Sequence, residues 1–116
     1  MHKYVLLALI ALLPQALFAA ELETPHYRVA IVEHCPEGEV SCQDVTYVGT
    51  NKVTGSSIRL KGKAVSRLCA DGVTPCQHLG YAFSRGSYQY FVGDNGSLIV
   101  THRGRQILSE TGSWRW

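Results

Sequence analysis

The sequence predicts an all-β protein, a small antiparallel meander that forms a barrel or a sandwich, after an N-terminal signal peptide. Three observations predict this fold. Short segments rich in β-branched and aromatic residues alternate apolar and polar positions, turn residues separate them at close intervals, and no window beyond the leader has a helical period. Short strands joined by turns pair with their neighbours, which is the arrangement of a meander.

The N-terminus has the three-part anatomy of a secretory signal peptide. A short basic segment precedes an uncharged run over residues 4–13, and small residues around Ala19 supply a cleavage region. We expect cleavage after Ala19, so that residues 1–19 are a leader and residues 20–116 form one domain. An uncleaved anchor is the alternative, but the apolar run is shorter than the ~20 residues that span a bilayer.

Composition and charge exclude two classes of partner. The 11 Lys and Arg nearly balance the 9 Asp and Glu, and one of the 11, Lys3, belongs to the leader. Because a nearly neutral domain has no bulk attraction for polyanions, we expect no nucleic-acid partner. Because no apolar stretch is long enough to span a bilayer, we expect no stable membrane anchor after cleavage.

Six or seven short strands are predicted in the remaining chain. They cover residues 27–32, 45–50, 57–65, 79–84, 88–92, 98–102 and 106–110. Residues that favour strands dominate the first two segments. In the third, Ile58 and Leu60 alternate with Arg59 and Lys61, which is the period of a half-buried strand. The Asn-Gly dipeptide within residues 94–96 predicts a tight hairpin turn, because both residue types accept positive φ angles.

All four cysteines lie in two blocks of matched spacing. Cys35-Pro-Glu-Gly-Glu-Val-Ser-Cys42 and Cys69-Ala-Asp-Gly-Val-Thr-Pro-Cys76 share the order cysteine, any residue, acid, glycine, three residues, cysteine. In an exported chain such cysteines are first of all disulfide candidates. Four cysteines allow three pairings, and we favour the two local bridges, since the Pro, Gly and acidic residues inside each block favour tight turns.

The residues after each block also correspond. Gln43 and Gln77 come directly after the second cysteine, and Tyr47 and Tyr81 follow five positions after it. One interpretation is a short duplicated unit, in which a stapled turn leads into a strand. The other is a coincidence of turn-rich chemistry, since two copies do not establish a repeat.

The sequence contains no recognisable catalytic motif. G-x-S-x-G, C-x-x-C, H-E-x-x-H and a phosphate-binding glycine loop do not occur. Paired cysteines leave no thiol nucleophile, and six residues between them exceed the roughly two to four that structural zinc sites use. We therefore expect no catalytic residue, no metal and no cofactor. An enzyme that uses scattered carboxylates is the alternative.

A cationic ladder is the first candidate binding surface. Arg59, Lys61 and Lys63 should project from the same face of one strand. The ladder suits an anionic partner such as an envelope glycan, and the alternative is a solvated strand that protects a sheet edge.

Two pairs of residues in the last part of the sequence are further candidate binding residues. Arg103 and Arg105 flank Gly104 at a predicted hairpin tip, where a loop can reach into a partner's groove. Trp114 and Trp116 lie on the same face of a terminal strand, where they would form an aromatic anchor for a partner or close the core.

Two resemblances extend this interpretation. The two cysteine blocks, together with Val45-Thr-Tyr-Val-Gly-Thr50 and Gly80-Tyr81, resemble a family of short exported proteobacterial proteins to which no function is assigned. That resemblance implies the compartment and the domain boundaries. In size, export and predicted β content the chain is also similar to the periplasmic C-type lysozyme inhibitors, which are small barrels. Ser84-Arg-Gly-Ser-Tyr88 resembles their serine-glycine-tyrosine segment, but a counterpart of their lysine motif is missing, so no residue role is transferred.

The leading functional hypothesis is a non-enzymatic binding protein that is periplasmic or secreted. Small size, two predicted staples and the missing catalytic motifs favour an inhibitor or immunity-type protein that acts on a cell-envelope hydrolase or a toxin. A sensor or binder of anionic envelope ligands that uses the cationic ladder is one alternative. A small hydrolase with scattered carboxylates is the other.

Overall fold

The computed structural model describes residues 18–36, 38–39 and 41–116, and the regular structure in these residues consists of strands. Residues 1–17, which contain most of the predicted signal peptide, lie outside the described residues. Phe18 and Ala19, the last two residues of the predicted leader, belong to the first strand. Among the described residues there is no helix with the length and apolarity needed to cross a membrane.

Nine strands follow one another along the chain. They are β1 (Phe18–Glu23), β2 (Tyr27–Glu33), β3 (Val45–Asn51), β4 (Ser57–Leu68), β5 (Pro75–Arg85), β6 (Tyr88–Gly93), β7 (Ser97–His102), β8 (Arg105–Thr111) and β9 (Ser113–Arg115). The seven predicted strands correspond to β2–β8. β1 was not predicted, because it overlaps the end of the leader, and β9 corresponds to the terminal strand expected for Trp114, although it has only three residues and ends before Trp116.

Each strand from β1 to β8 pairs antiparallel with the next one. β9 pairs antiparallel with β1, with Trp114 opposite Leu22. A single residue, Gly112, separates β8 from β9, so the last stretch of chain pairs first with β7 and then with β1. The sheet therefore forms a nearly closed barrel, which confirms the predicted all-β meander.

Close backbone contacts hold the seam between the two ends of the sheet. Gly112 lies against the carbonyl of Glu23 and the Cα of Thr24, and a side chain at this position would overlap them. The Gly112 N–H donates to the carbonyl of Gly96 at 2.8 Å. The chain can pass from β7 to β1 here only because residue 112 has no Cβ.

Glu110 adds a side-chain link across the same seam. One carboxylate oxygen accepts hydrogen bonds from the Thr24 hydroxyl at 2.8 Å and the His26 N–H at 3.1 Å, and the other lies 2.6 Å from the His26 ring nitrogen. Burial raises the pKa of Glu110, but the hydrogen bonds from Thr24 and His26 outweigh this effect and keep the pKa below its usual value. The carboxylate therefore stays ionised while it joins β8 to the β1–β2 turn.

The inner face of the sheet forms one hydrophobic core. Alternate residues of each strand point inward, as the period of two requires. The buried members of the core are Leu22, Val29, Ile31, Cys42, Val45, Tyr47, Leu60, Ala64, Tyr81, Phe83, Val92 and Leu98. At one end of this core the Tyr81 hydroxyl donates to the Glu33 carboxylate at 2.6 Å, so that a buried phenol has a charged partner.

The structure contains the two local disulfides that the spacing predicts. Cys35 bonds to Cys42 and Cys69 to Cys76, with Cα atoms 5.7 and 5.1 Å apart. The first bridged loop leads into β3 and the second into β5. The tyrosines that follow the two loops both end on the inner face, where Tyr47 is 2% and Tyr81 is 3% exposed. The corresponding spacing thus places two aromatic rings in the core.

One hairpin turn differs from the sequence prediction. The turn at residues 94–96 has positive φ only at Gly96, and the Gly96 N–H bonds to the Gly93 carbonyl at 2.9 Å. It is therefore a three-residue connection and not a two-residue Asn-Gly turn. The two-residue turn with positive φ at both positions is instead residues 103–104, with φ of 53° at Arg103 and 80° at Gly104.

Candidate functional site

The barrel opens into a cavity of about 340 Å³ between β2–β4 on one side and β6–β8 on the other. Four of the residues that line it are tyrosines, and we call Tyr27, Tyr47, Tyr88 and Tyr90 the tyrosine mouth. The aliphatic walls of the cavity are Ile58, Leu98, Val100, Ile107 and Leu108. Its volume is at the lower end of the ~300–1,000 Å³ found for small-molecule sites.

Tyr47 is the most deeply placed residue of the mouth. Its ring packs against Phe83 and Tyr90, with ring centroids 5.2 and 5.5 Å apart. The Tyr47 side chain also lies against the backbone of Gly49, where a Cβ would overlap the ring. Although the residue is only 2% exposed, its hydroxyl makes no hydrogen bond within the described part of the chain. Among these residues no fully buried side-chain polar atom lacks a partner, so the hydroxyl reaches solvent through the cavity.

The other hydroxyls of the mouth are also without protein partners. Within residues 18–36, 38–39 and 41–116, those of Tyr27, Tyr88 and Tyr90 form no hydrogen bond. By contrast, the equally buried Tyr81 at the far end of the core is paired with Glu33. Tyr27 and Tyr90 are partly exposed and Tyr88 is exposed, so Tyr47 is the buried tyrosine of the mouth whose hydroxyl lacks a described partner, and the cavity beside it has room for one.

Burial keeps the phenols of Tyr47 and Tyr90 protonated. Burial, together with the neighbouring phenols of Tyr90 and Tyr27, raises the pKa of Tyr47 well above its usual value. Burial also raises the pKa of Tyr90, although the positive charge of Arg85 opposes the rise. Tyr47 and Tyr90 are therefore neutral hydrogen-bond donors at physiological pH, and their rings lie 5.5 Å apart between centroids.

A second depression adjoins the mouth at its rim. It is lined by Arg85, Gly86, Ser87, Tyr88 and Tyr90, so it shares two tyrosines with the cavity. Tyr88 is 39% exposed and stacks on the ring of His102, with centroids 4.2 Å apart. This stack joins the β5–β6 and β7–β8 hairpins beside the entrance.

The structure places the predicted cationic ladder on the outer face of β4. Arg59, Lys61 and Lys63 are all exposed and point away from the core. However, Lys61 donates to Asp44 at 2.6 Å and lies 3.4 Å from the Thr46 hydroxyl. One of the three charges is therefore already neutralised, which weakens the ladder as an anion site.

Arg103 and Arg105 lie at the β7–β8 turn, as predicted. Both side chains are exposed, and neither forms an ion pair with another described residue. The Arg103 N–H donates to the Ser87 carbonyl at 3.2 Å, which ties this turn to the neighbouring β5–β6 turn. The structure thus places the β7–β8 turn beside the depression at the rim of the mouth, on different strands from the ladder on β4.

The two tryptophans have different environments. Trp114 packs against the core, and its indole N–H donates to the Gly93 carbonyl at 3.1 Å, so it helps to close the seam. Trp116 is 75% exposed and stacks on Trp114, with ring centroids 5.2 Å apart. Sequence analysis left two roles open, an anchor for a partner or closure of the core, and Trp114 closes the core.

Sequence analysis did not identify the tyrosine mouth. Its residues come from β2, β3 and β6, which are distant in the sequence and meet only across the barrel. The available signal was that Tyr27, Tyr88 and Tyr90 occupy inward positions near the ends of predicted strands. The described residues also contain no cluster of three His, Cys, Asp or Glu side chains suited to a metal ion.

Comparison with known proteins gives no match to any family model, curated protein or solved structure. Two disulfides are typical of an oxidising, extracytoplasmic environment.

Proposed function

We propose that this chain is an exported, non-enzymatic binding protein, periplasmic or secreted, that holds its ligand in the tyrosine mouth. The observation that carries the proposal is Tyr47, a residue that is 2% exposed and whose hydroxyl has no described protein partner and opens into a cavity of about 340 Å³. A ligand that accepts or donates a hydrogen bond there would satisfy a group that the fold leaves unpaired.

The chemistry of the mouth favours binding over proton transfer. A general acid or base needs a pKa near the working pH, whereas the pKa values of Tyr47 and Tyr90 are shifted upward, away from neutrality. Aromatic and aliphatic walls with a few polar groups are the usual composition of ligand sites. The predicted leader and the two disulfides support an exported compartment.

Titration with the neutral probes decanol and N-phenyl-1-naphthylamine tests this function. We expect saturable binding, measured by calorimetry and by probe fluorescence. Ile107, which is 52% exposed and lines the cavity, is the site for a blocking substitution. Ile107→Glu should weaken binding about tenfold or more, because it brings a charge to the apolar entrance.

Val53→Glu is the matched control. Val53 is 78% exposed in the β3–β4 turn and does not line the cavity, so the same substitution there should leave binding unchanged. If neither probe binds the wild-type protein, or if both glutamate variants bind as the wild type does, the mouth is not the ligand site.

A second candidate function is inhibition of a cell-envelope hydrolase or toxin through the β7–β8 turn. The observation that favours it is the φ of 53° at Arg103, since Asn or Gly would occupy this conformation at lower cost. An arginine in an exposed turn with positive φ suits insertion into an acidic cleft. Glycan hydrolases have such clefts, because they use paired carboxylates.

Inhibition assays with a panel of peptidoglycan hydrolases test the second candidate. A double variant, Arg103→Asn with Arg105→Gln, should relieve the turn strain while it abolishes inhibition. Arg67→Gln is the control, because Arg67 is an exposed cation on β4 with no ion pair to a described residue. This variant should inhibit as the wild type does. A wild-type protein that inhibits no hydrolase at micromolar concentrations would eliminate this candidate.

A further inference from the structure

We propose that the tyrosine mouth selects amphipathic anions, with the acidic head group beside Arg85 and the tyrosine hydroxyls and the apolar body against the aliphatic walls. This inference rests on the proposed binding function and names the chemical class of its ligand. Three features of the site support it: the place of Arg85 on the sheet, the distribution of charge around the entrance, and the division of the cavity into a polar and an apolar part.

Arg85 extends the inner face of β5 to the rim of the barrel. Tyr81 and Phe83 point into the core at 3% and 4% exposure, and the period of two puts Arg85 on the same side of the strand. It is the last residue of β5 and lies opposite Tyr88 in the ladder with β6. The side chain is exposed and lines the depression that adjoins the cavity.

The charge at the entrance has one sign. The residues that line the cavity include no charged side chain, and Arg85 is the only charged residue that lines the adjoining depression in the described structure. Arg85 forms no ion pair with any described residue. Arg103 and Arg105 lie on the neighbouring turn, which is hydrogen-bonded to the turn at Gly86 and Ser87. An anion at this rim thus meets positive charge and no competing carboxylate.

The hydroxyls of the mouth supply donors beside the same cation. Tyr47 and Tyr90 have ring centroids 5.5 Å apart, and both tyrosines line the cavity with Tyr27. Arg85 and Tyr90 line the same depression, and the positive charge of Arg85 opposes the upward shift of the Tyr90 pKa. A carboxylate has acceptor sites for several donors, so it can use the arginine and the hydroxyls together.

Aliphatic side chains form most of the remaining lining, and Asn51, Ser56 and Ser57 add polar groups at the β3–β4 end of the cavity. Ile58, Leu98, Val100, Ile107 and Leu108 offer no hydrogen-bonding side chain, and Leu98 and Val100 are buried. Contact with an alkyl chain or an aromatic ring would remove this surface from water at a gain proportional to the area covered. Therefore a purely polar anion would leave the walls unused, and a purely apolar molecule would leave the hydroxyls unpaired.

Calorimetric titration with decanoate and decanol tests the selection, since the two probes share a chain length and differ in charge. We expect decanoate to bind at least about fivefold more tightly than decanol at low salt, which is the scale of an exposed ion pair plus hydrogen bonds. Added salt should reduce this preference, because screening weakens the attraction of the rim for the head group but not the burial of the chain.

Arg85→Gln should lower the affinity for decanoate about fivefold and leave that for decanol unchanged. Arg67→Gln removes an equally exposed cation from β4 and should change neither affinity. Equal binding of the two probes, or an Arg85→Gln variant that keeps the preference for decanoate, would overturn the inference while the binding function stands. Failure of both probes to bind the wild type would overturn the binding function itself.

Discussion

Two matched double variants separate the contribution of a buried sulfur from that of ring closure. One replaces Cys35 and Cys42 by Ala, and the other replaces Cys69 and Cys76 by Ala. Each bridge joins cysteines seven positions apart, so the chain-entropy treatment assigns both about 2.5 kcal/mol. Cys35 and Cys69 are partly buried alike, whereas Cys42 is 0% exposed and Cys76 is exposed. Loss of the Cys42 sulfur from the core should add about 1–2 kcal/mol.

We therefore expect the variant at Cys35 and Cys42 to lose about 4 kcal/mol and the variant at Cys69 and Cys76 about 2.5 kcal/mol. Urea unfolding followed by tryptophan fluorescence and circular dichroism measures both. With a denaturant slope of about 1.5 kcal/mol per molar urea, the two midpoints should differ by about 1 M. Equal losses, or a larger loss for the variant at Cys69 and Cys76, would refute the packing role of the Cys42 sulfur.

Three other perturbations test the fold by the same unfolding assay. Gly112→Ala should cost about 2–3 kcal/mol, because its methyl group would overlap the Glu23 carbonyl at the seam, and an unchanged midpoint would contradict the tight crossing. Tyr81→Phe should cost about 2 kcal/mol by removing a buried hydrogen bond to the Glu33 carboxylate, and no loss would show that water replaces it. Hydrogen bonds from the Thr74 hydroxyl and from the backbone N–H groups of Thr74 and Val73 lower the pKa of Asp71 from 3.8 to about 2. The ionised carboxylate therefore stabilises the fold above pH ~4, and this stabilisation is lost as the pH falls toward 2. Asp71→Asn should therefore be less stable than the wild type at pH 7 and equal to it near pH 2, and a difference that persists near pH 2 would contradict the shift.

Seven of the nine strands were predictable from local pattern. A strand such as β4 carries its own signature, because Ile58 and Leu60 face the core and Arg59 and Lys61 face solvent. β1 and β9 carry no such signature. β1 overlaps the residues that resemble a leader, and β9 is a strand only because Gly112 brings it against Leu22 and its neighbours. Their formation depends on barrel closure and not on local preference.

The candidate site was less predictable than the fold. Sequence analysis selected charged and tryptophan residues, and the structure shows that Lys61 is paired with Asp44 and that Trp114 closes the seam. The tyrosines of the mouth resemble ordinary core residues when each strand is considered alone. They form a site because β2 and β3 face β6 across the barrel, which brings hydroxyl groups together without partners.

The sequence by itself determined the strand pattern and the local disulfides, and it supports the prediction of export. These features depend on neighbouring residues: a period of two, turn residues between cysteines, and a charge-free run near the N-terminus. The tertiary structure alone decided how the sheet closes and which side chains remain unpaired. Such properties arise from contacts between residues far apart in the chain, such as the hydrogen bond from Thr24 to Glu110 and the packing of the Tyr90 ring against the Tyr47 ring. Local sequence cannot encode these contacts, because each depends on the register of every strand between them.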